Sequence, residues 1–393
     1  MLHLQDSIAG DAIRFYQVQS KQDLRQVSAF VRNHQTLGID TESTGLNPYV
    51  PEWKLRTVQI ATANVSIVIP ARYERFIMWL MRQKVRWVGH NGPHDIRSID
   101  AHLGFDTGVV CPGETFILSH YYDPRNRDEG GIGHGLKEMA QALIDHSAGK
   151  WEKELHRVFK TIKVSVPGEY YKSGPRKGLL KERIIKLSEG WALIDPNHPA
   201  YVAYAAADPL LTIRLWHKLN AVYRDNRDLY ASDMRVQQAA DRLTRRALLI
   251  DVPYTERKDQ QFRQKADRLM ERAATYGCIK IYSGDQIAEV LQTLGVRLTK
   301  KTPTGKFSTK DKVLRDIRNR PDCPAEAADF IRTLLLAKQC LKRATAYTGE
   351  FLASRDVNNR IHPSINTLAA VTARMSVSNP ALQQLPTRQG EDD

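Results

Sequence analysis

Cysteine is scarce: Cys111, Cys278, Cys323 and Cys340 are the only four in 393 residues, and they are widely scattered. That excludes a CxxC metal site and a recognisable disulfide framework, and fits a reducing cytosolic setting. A continuous apolar stretch is lacking in MLHLQDSIAGDAIRF, where acidic and polar residues interrupt what a signal peptide would need, and no later run approaches transmembrane length. The expectation is a soluble, cytoplasmic protein with no membrane partner, in a host cell if the chain is phage-encoded. Internal repeats and low-complexity tracts are also missing. Acidic charge is in deficit, with 44 Asp and Glu against 58 Lys and Arg, a net charge of +14 and a pI near 9.5. That favours a polyanion such as nucleic acid, without separating DNA from RNA or from an anionic membrane surface.

The length suggests two or more domains. Residues 35 to 70 read as consecutive strands, QTLGIDTE, LRTVQIATA and VSIVIPA, followed by a helix at Tyr73–Gln83 and a short strand, RWVGH. Residues 93–103, 112–122 and 135–146 have helical patterns, so the first part is an α/β domain. Lys150 to Glu189 is broken by Gly and Pro and carries 11 Lys or Arg against 5 Asp or Glu. It reads equally as a solvated surface excursion or a DNA-contacting flap. A long helical pattern from roughly 198 to 247 leads into a mostly helical remainder, with a basic loop at Lys300–Lys306 and an extended segment at Arg360–Thr367.

Three short elements carry the chemistry. Asp40 and Glu42 sit two apart near a strand end, so the period of two sends both to one face. HNGPHD at 90–95 follows a strand and has Pro93 where a helix would begin, which projects Asp95 from the first helical turn. In YVAYAAADPLL, Tyr204 and Asp208 are spaced i, i+4 and share a helix face. Each is weak alone. In this order they supply four oxygen donors without His or Cys, a set that suits Mg²⁺ or Mn²⁺ better than zinc. Two such ions about 4 Å apart would bind both the attacking and the leaving oxygens of a phosphodiester displacement. Tyr204 would orient the attacking water.

These elements resemble the DEDD 3′–5′ exonucleases in their tyrosine-containing branch. The histidine branch places His five residues before the last Asp, where this chain has Ala203. The resemblance implies a catalytic role for Asp40, Glu42, Asp95, Tyr204 and Asp208, with the four carboxylates as metal ligands. It also implies that Ser43 lies beside the scissile nucleotide, that Leu46 wedges against the terminal base, and that Asn91 contacts the substrate strand.

Beyond Leu243, LTRRALLIDVPY, YSGDQIAEVLQTLGV and KKTPTGKFSTKDKVL are similar to the thumb of family A DNA polymerases. From its residues alone the last is a basic turn capped by Ser308 and Thr309, with Lys300, Lys301 or Lys306 placed for a phosphate. The resemblance makes primer–template binding the better reading. ARMSVSNPALQQLP resembles the segment that opens the family's palm, which implies a minor-groove contact for Arg374 and a template contact for Gln383. Ala373 and Ala381 depart from that pattern, where glycine and asparagine are usual.

The implied fold is a ribonuclease H-like exonuclease domain with a mixed sheet over 1–225, a mostly helical thumb over 226–355 and an incomplete palm over 356–393. The implied reaction is two-metal hydrolysis from the 3′ end of DNA, as the proofreading part of a replicative polymerase, with bacteriophage origin suggested by analogy. In this family the metal-binding aspartates of nucleotide addition lie beyond the last residue here. The expectation is therefore a truncated part that adds no nucleotides, completed by a second polypeptide carrying palm and fingers. The alternatives are a tyrosine-type exoribonuclease and a DNA-binding subunit of a split polymerase.

Overall fold

The computed structural model describes residues 1–385; the last eight residues of the palm-like segment lie outside them. The chain folds as two compact units, Met1–Arg246 with Ile365–Ser376, and Ala247–Ser364 with the described residues from Val377.

The first unit is built on a seven-stranded sheet whose strands are β1 (Leu2–Ile8), β2 (Asp11–Gln17), β3 (Thr36–Ser43), β4 (Leu55–Ala61), β5 (Val65–Pro70), β6 (Arg86–Gly89) and β7 (Gly113–Glu114). Their order is β1-β2-β5-β4-β3-β6-β7. The sheet is mixed, as expected: β3 runs antiparallel to β4 and parallel to β6. The hairpin of β1 and β2 is an addition to what the pattern announced. LHLQDSI and DAIRFYQ alternate, but the first strand buries only its last residue, Ile8, whereas the second buries Ile13, Phe15 and Gln17, so the periodicity is matched by burial mainly in the second strand.

Helices cover both sheet faces. On one lie α1 (Asp23–Arg32), α2 (Glu74–Met81) and α3 (Gly92–Leu103), which bury Val27, Ile77 and Ile99 against Leu37, Ile39, Val58 and Ile60. After α4 (Thr115–Tyr122), the opposite face is covered by α5 (Leu136–Leu143), α6 (Lys150–Phe159) and, beyond α7 (Leu187–Leu193), α8 (Pro199–Lys218). Helix α8 is buried almost all round, as a helix crossing a core must be. The expected long helix at 198–247 is three: α8, α9 (Asn220–Asp225) and α10 (Arg227–Arg246). Helix α10, expected to open the thumb-like region, belongs to the first unit. Its Arg245 donates to Asp100 of α3 at 2.5 Å and to Asp241 at 2.7 Å.

Within the basic 150–189 stretch, α6 is followed by a hairpin of β8 (Lys163–Tyr170) and β9 (Leu180–Ile184), outside the main sheet.

The second unit is mostly helical. It comprises α11 (Val252–Thr275), α12 (Gly284–Thr293), α13 (Asp311–Arg318), α14 (Ala325–Lys342) and α15 (Glu350–Ser354), with a short ladder of β10 (Leu248–Leu249) and β11 (Arg360–Ile361). Its core gathers Ile287, Leu291, Leu314, Phe330 and Leu334. Ser308 and Thr309 do not cap α13: Lys310 stands at that position and makes no side-chain cap bond.

Candidate active site

Asp40 and Glu42 lie at the end of β3, where the ladder to β4 shifts register between Glu42 and Ser43. Irregularities of this kind at a strand end re-aim side chains. Both carboxylates point to the face covered by α8, whose Asp208 meets them: carboxylate oxygens of Asp40, Glu42 and Asp208 lie within 4.8 Å of one another. Glycine makes the approach feasible. A Cβ at Gly38 would stand 2.3 Å from the carbonyl oxygen of Pro209 and 2.9 Å from Ile213, so only a residue without a side chain lets α8 pass this close to β3.

Asp95 stands apart from this trio. It comes from α3, on the Ile39 side of the sheet, and accepts a hydrogen bond from the Thr41 hydroxyl at 2.7 Å. Thr41 falls between Asp40 and Glu42 and alternates to the opposite face. Asp95 is nevertheless near enough to raise the Asp40 and Glu42 carboxyls by repulsion. Its helix start is fixed by Glu114, which accepts backbone N–H bonds from Asn91 (2.7 Å), Gly92 (2.8 Å) and Phe116 (3.0 Å). Asn91 itself has φ of 67°.

The site is short of positive charge. Burial, reinforced by mutual repulsion, holds Asp40 well above the usual carboxylate range. Burial pushes Glu42 up to about 8 and Asp95 up to about 7. The buried cation among them is Lys137 of α5, whose ammonium contacts the Asp208 carboxylate and sits 4.7 Å from the Tyr204 ring centre. Burial brings Lys137 down to about 8, against the pull of Asp40, Glu152 and Glu42. One ammonium does not balance this many acids, and an all-oxygen donor set with a deficit of positive charge fits a hard divalent cation.

Tyr204 shares α8 with Asp208 one turn on, and burial raises its phenol well above the ordinary value, keeping it a proton donor. The Trp191 ring lies 5.2 Å from it. Arg56 donates to the carbonyls of Trp191 and Ile194, and its charge draws the Glu42 carboxyl down. Lys137, Glu114, Arg56 and Trp191 were not legible beforehand. Lys137 falls one position off the Leu136, Met139, Ala140, Leu143 stripe of α5, where a lysine reads as surface.

Of the remaining expected contacts, Ser43 donates to the Gly45 carbonyl at 2.7 Å, Leu46 is 80% exposed and Asn91 is exposed. In the second unit Lys300 pairs with Asp316 at 3.0 Å and Lys306 with Asp285 at 2.7 Å, both at the surface, while Lys301 lies over the Phe307 ring. Arg374 is exposed, and the Gln383 side chain accepts from the Val377 N–H at 3.2 Å. No described helix is long and apolar enough to cross a membrane.

Residues 15–163 match the 3′–5′ exonuclease family and residues 252–393 match DNA polymerase family A. The DNA polymerase of Mycobacterium phage L5 is 27% identical over 98% of this chain and 62% of its own length; that of Mycobacterium phage D29 is 28% identical over 98% and 61%. The chain thus spans about three fifths of the length of these curated relatives. A solved structure, the POL domain of Pol1 from M. smegmatis in complex with DNA primer-template and dNTP, shares the fold with a TM-score of 0.61. It is 15% identical, covering 96% of this chain and 57% of that one.

Proposed function

From a chain that carries a 3′–5′ exonuclease domain and a family A DNA polymerase segment, we propose hydrolysis of single nucleotides from the 3′ end of DNA, as the proofreading activity of a DNA polymerase. The observation that carries it is the meeting of Asp40, Glu42 and Asp208 within 4.8 Å, on a strand end and a helix some 170 positions apart.

Asp40, Glu42 and Asp208 would hold divalent cations, with Asp95 at the edge of the site. When bound, Mg²⁺ or Mn²⁺ would supply the Lewis acidity that activates water and neutralises the departing 3′ oxygen. The chain's own part is orientation. The Tyr204 phenol, kept protonated, donates a hydrogen bond towards the water's position, and Trp191 holds the ring in place. Ser43, half-buried at the end of β3, and the exposed Leu46 just beyond it would meet the terminal nucleotide, and Asn91 is exposed at the start of α3. Family membership supports DNA as substrate and primer–template as partner. Lys300, Lys301, Lys306, Arg374 and Gln383 are proposed backbone or groove contacts on that basis alone.

The test is a 5′-labelled single-stranded DNA incubated with the chain and Mg²⁺. A ladder shortening from the 3′ end, abolished by EDTA, is expected; cleavage that persists in EDTA or in Asp40→Ala would overturn the reading. A matched RNA oligonucleotide separates DNA from RNA specificity. Nucleotide addition is tested separately by primer extension, and no residue described here is assigned to it.

A further inference from the structure

The arm of β8 and β9 is outside both family matches except for its first residue, and most of its residues are exposed, with Val164, Val166 and Lys181 partly covered. Residues 163–186 carry seven Lys or Arg against two Asp or Glu, five of the chain's fourteen net positive charges. Arg176, Lys181 and Arg183 are matched by Glu182, Glu169 and Glu189 at 3.7, 3.3 and 2.6 Å. Lys163, Lys172 and Lys177 are exposed and have no ion-pair partner among the described residues. Between them lie apolar surfaces that a solvated loop would not need: Tyr170 is 54% exposed, Leu179 60% and Ile184 55%. The Arg176 guanidinium lies 5.9 Å from the Tyr171 ring centre.

Val164 at its base packs on the core of the first unit, but no residue of the two strands is fully buried, and a two-stranded hairpin with so little packing is marginal in water. Unpaired ammonium groups interleaved with aromatic and aliphatic faces match one kind of partner well. A single nucleic-acid strand offers phosphates to the lysines and base faces to the rings, whereas a duplex keeps its base faces stacked away.

The segment that follows the arm is tied to the tyrosine of the carboxylate site. Helix α7, which β9 runs into, places Trp191 5.3 Å from Phe159 of α6 and 5.2 Å from Tyr204. Gly190 packs so tightly that a Cβ there would stand 2.4 Å from the Phe159 ring. The arm therefore joins the helix that packs on Tyr204, and its strand β8 spans about 25 Å, at roughly 3.3 Å per residue.

We propose that the β8–β9 arm is a single-strand DNA grip, holding the strand whose 3′ end lies among Asp40, Glu42 and Asp208. The identity of the held end rests on the nuclease reading above; the binding itself does not, because it needs neither metal nor cleavage.

The experiment measures anisotropy of a fluorescent oligothymidylate of about 20 nucleotides, several times the smallest single-strand site, with the full chain in EDTA. Combining Lys163→Ser, Lys172→Ser and Lys177→Ser is expected to weaken binding about tenfold or more and to flatten the salt dependence by about 2 in log–log slope. Tyr170→Ser alone is expected to cost about fivefold or more. A control combining Lys21→Ser, Arg25→Ser and Arg82→Ser removes the same charge from exposed positions elsewhere in the first unit. It should bind within about twofold of the parent. Unchanged melting of each variant shows that the fold is kept. If the arm variant binds as the control does, the grip is overturned. If the parent binds through the arm but cleaves nothing with Mg²⁺, the nuclease reading falls and the grip stands.

Discussion

The carboxylate site and the β8–β9 arm handle charge in opposite ways. At the site, Glu42, Asp95 and Asp208 are 5% to 8% exposed, and one buried ammonium, Lys137, serves Asp208, Asp40 and Glu42. On the arm, an excess of Lys and Arg stands at the surface, and Lys163, Lys172 and Lys177 have no ion-pair partner among the described residues. Buried like charges destabilise the metal-free protein and make the site selective for a compact cation. Exposed like charges cost little alone and show their effect when a polyanion arrives, in a way that salt screens. Changes at the site should therefore appear as lost chemistry or altered stability, and changes on the arm as lost affinity.

The sharpest division is expected from Asp40→Ala with Glu42→Ala. Cleavage should fall by more than the ~10–100-fold typical of supporting residues, because ligands themselves are removed, while oligonucleotide affinity in EDTA stays within a few-fold. Equal losses in both assays would break the distinction.

Lys137→Met comes next. Removing one partner of a buried ion pair costs about 3 kcal/mol or more, so denaturant unfolding in EDTA should show a large loss. Mn²⁺ should restore much of it, and Mn²⁺ affinity by calorimetry should rise as the competing ammonium is gone. A loss equal with and without Mn²⁺ would mean that Lys137 is only a packing element.

Gly38→Ala is expected to cost about 1–3 kcal/mol, the range for overpacking, because its methyl would meet the Pro209 carbonyl. Since that contact sets the distance from Asp208 to Asp40, metal affinity should drop with stability. Stability lost with metal affinity intact would show that the carboxylates adjust independently of the α8 backbone.

The pH profile follows from burial. Glu42 and Asp95 have folded values raised to about 8 and about 7, so the folded chain holds protons that the unfolded chain has released. Metal-free stability from these groups is present below about pH 4 and is lost as pH rises towards 8. Lys137, brought down to about 8, acts in the opposite sense only above that pH. Melting in EDTA should therefore fall between pH 5.5 and 7.5, and the stabilisation by Mg²⁺ should grow over the same interval. A Mg²⁺ effect independent of pH would contradict burial of the acids. The smallest effect is expected for Lys300→Ser and Lys306→Ser, whose exposed pairs with Asp316 and Asp285 contribute about 0–1 kcal/mol each.

Much of the site was readable because it is written in local periods. Two residues on a strand and four on a helix put Asp40 with Glu42, and Tyr204 with Asp208, on shared faces wherever those elements pack. Asp95 was readable as a residue of a first helical turn, but its bond to Thr41 was not, since that depends on which sheet face α3 covers. Lys137 was hidden for the same reason: a lysine beside an apolar stripe is ordinarily solvated, and only α8 and β3 closing over it make it a buried counter-ion. The arm shows the converse. Gly168, Gly174 and Gly178 broke the pattern and suggested a loop, whereas the ladder from Lys163 opposite Ile184 makes a hairpin, with Gly168 at positive φ where the ladder shifts register and Gly174 and Gly178 at positive φ between the strands.

Order along the chain, residue type and local spacing determined which acids could act and that hard cations and a polyanion suit them, because these depend on side-chain chemistry and on the fixed repeat of strand and helix. Tertiary structure decided which acids meet, which lysine is taken from water and that the helix following the arm packs on Tyr204. Those outcomes depend on backbones far apart in sequence approaching within a few ångströms, as α8 approaches β3 at Gly38.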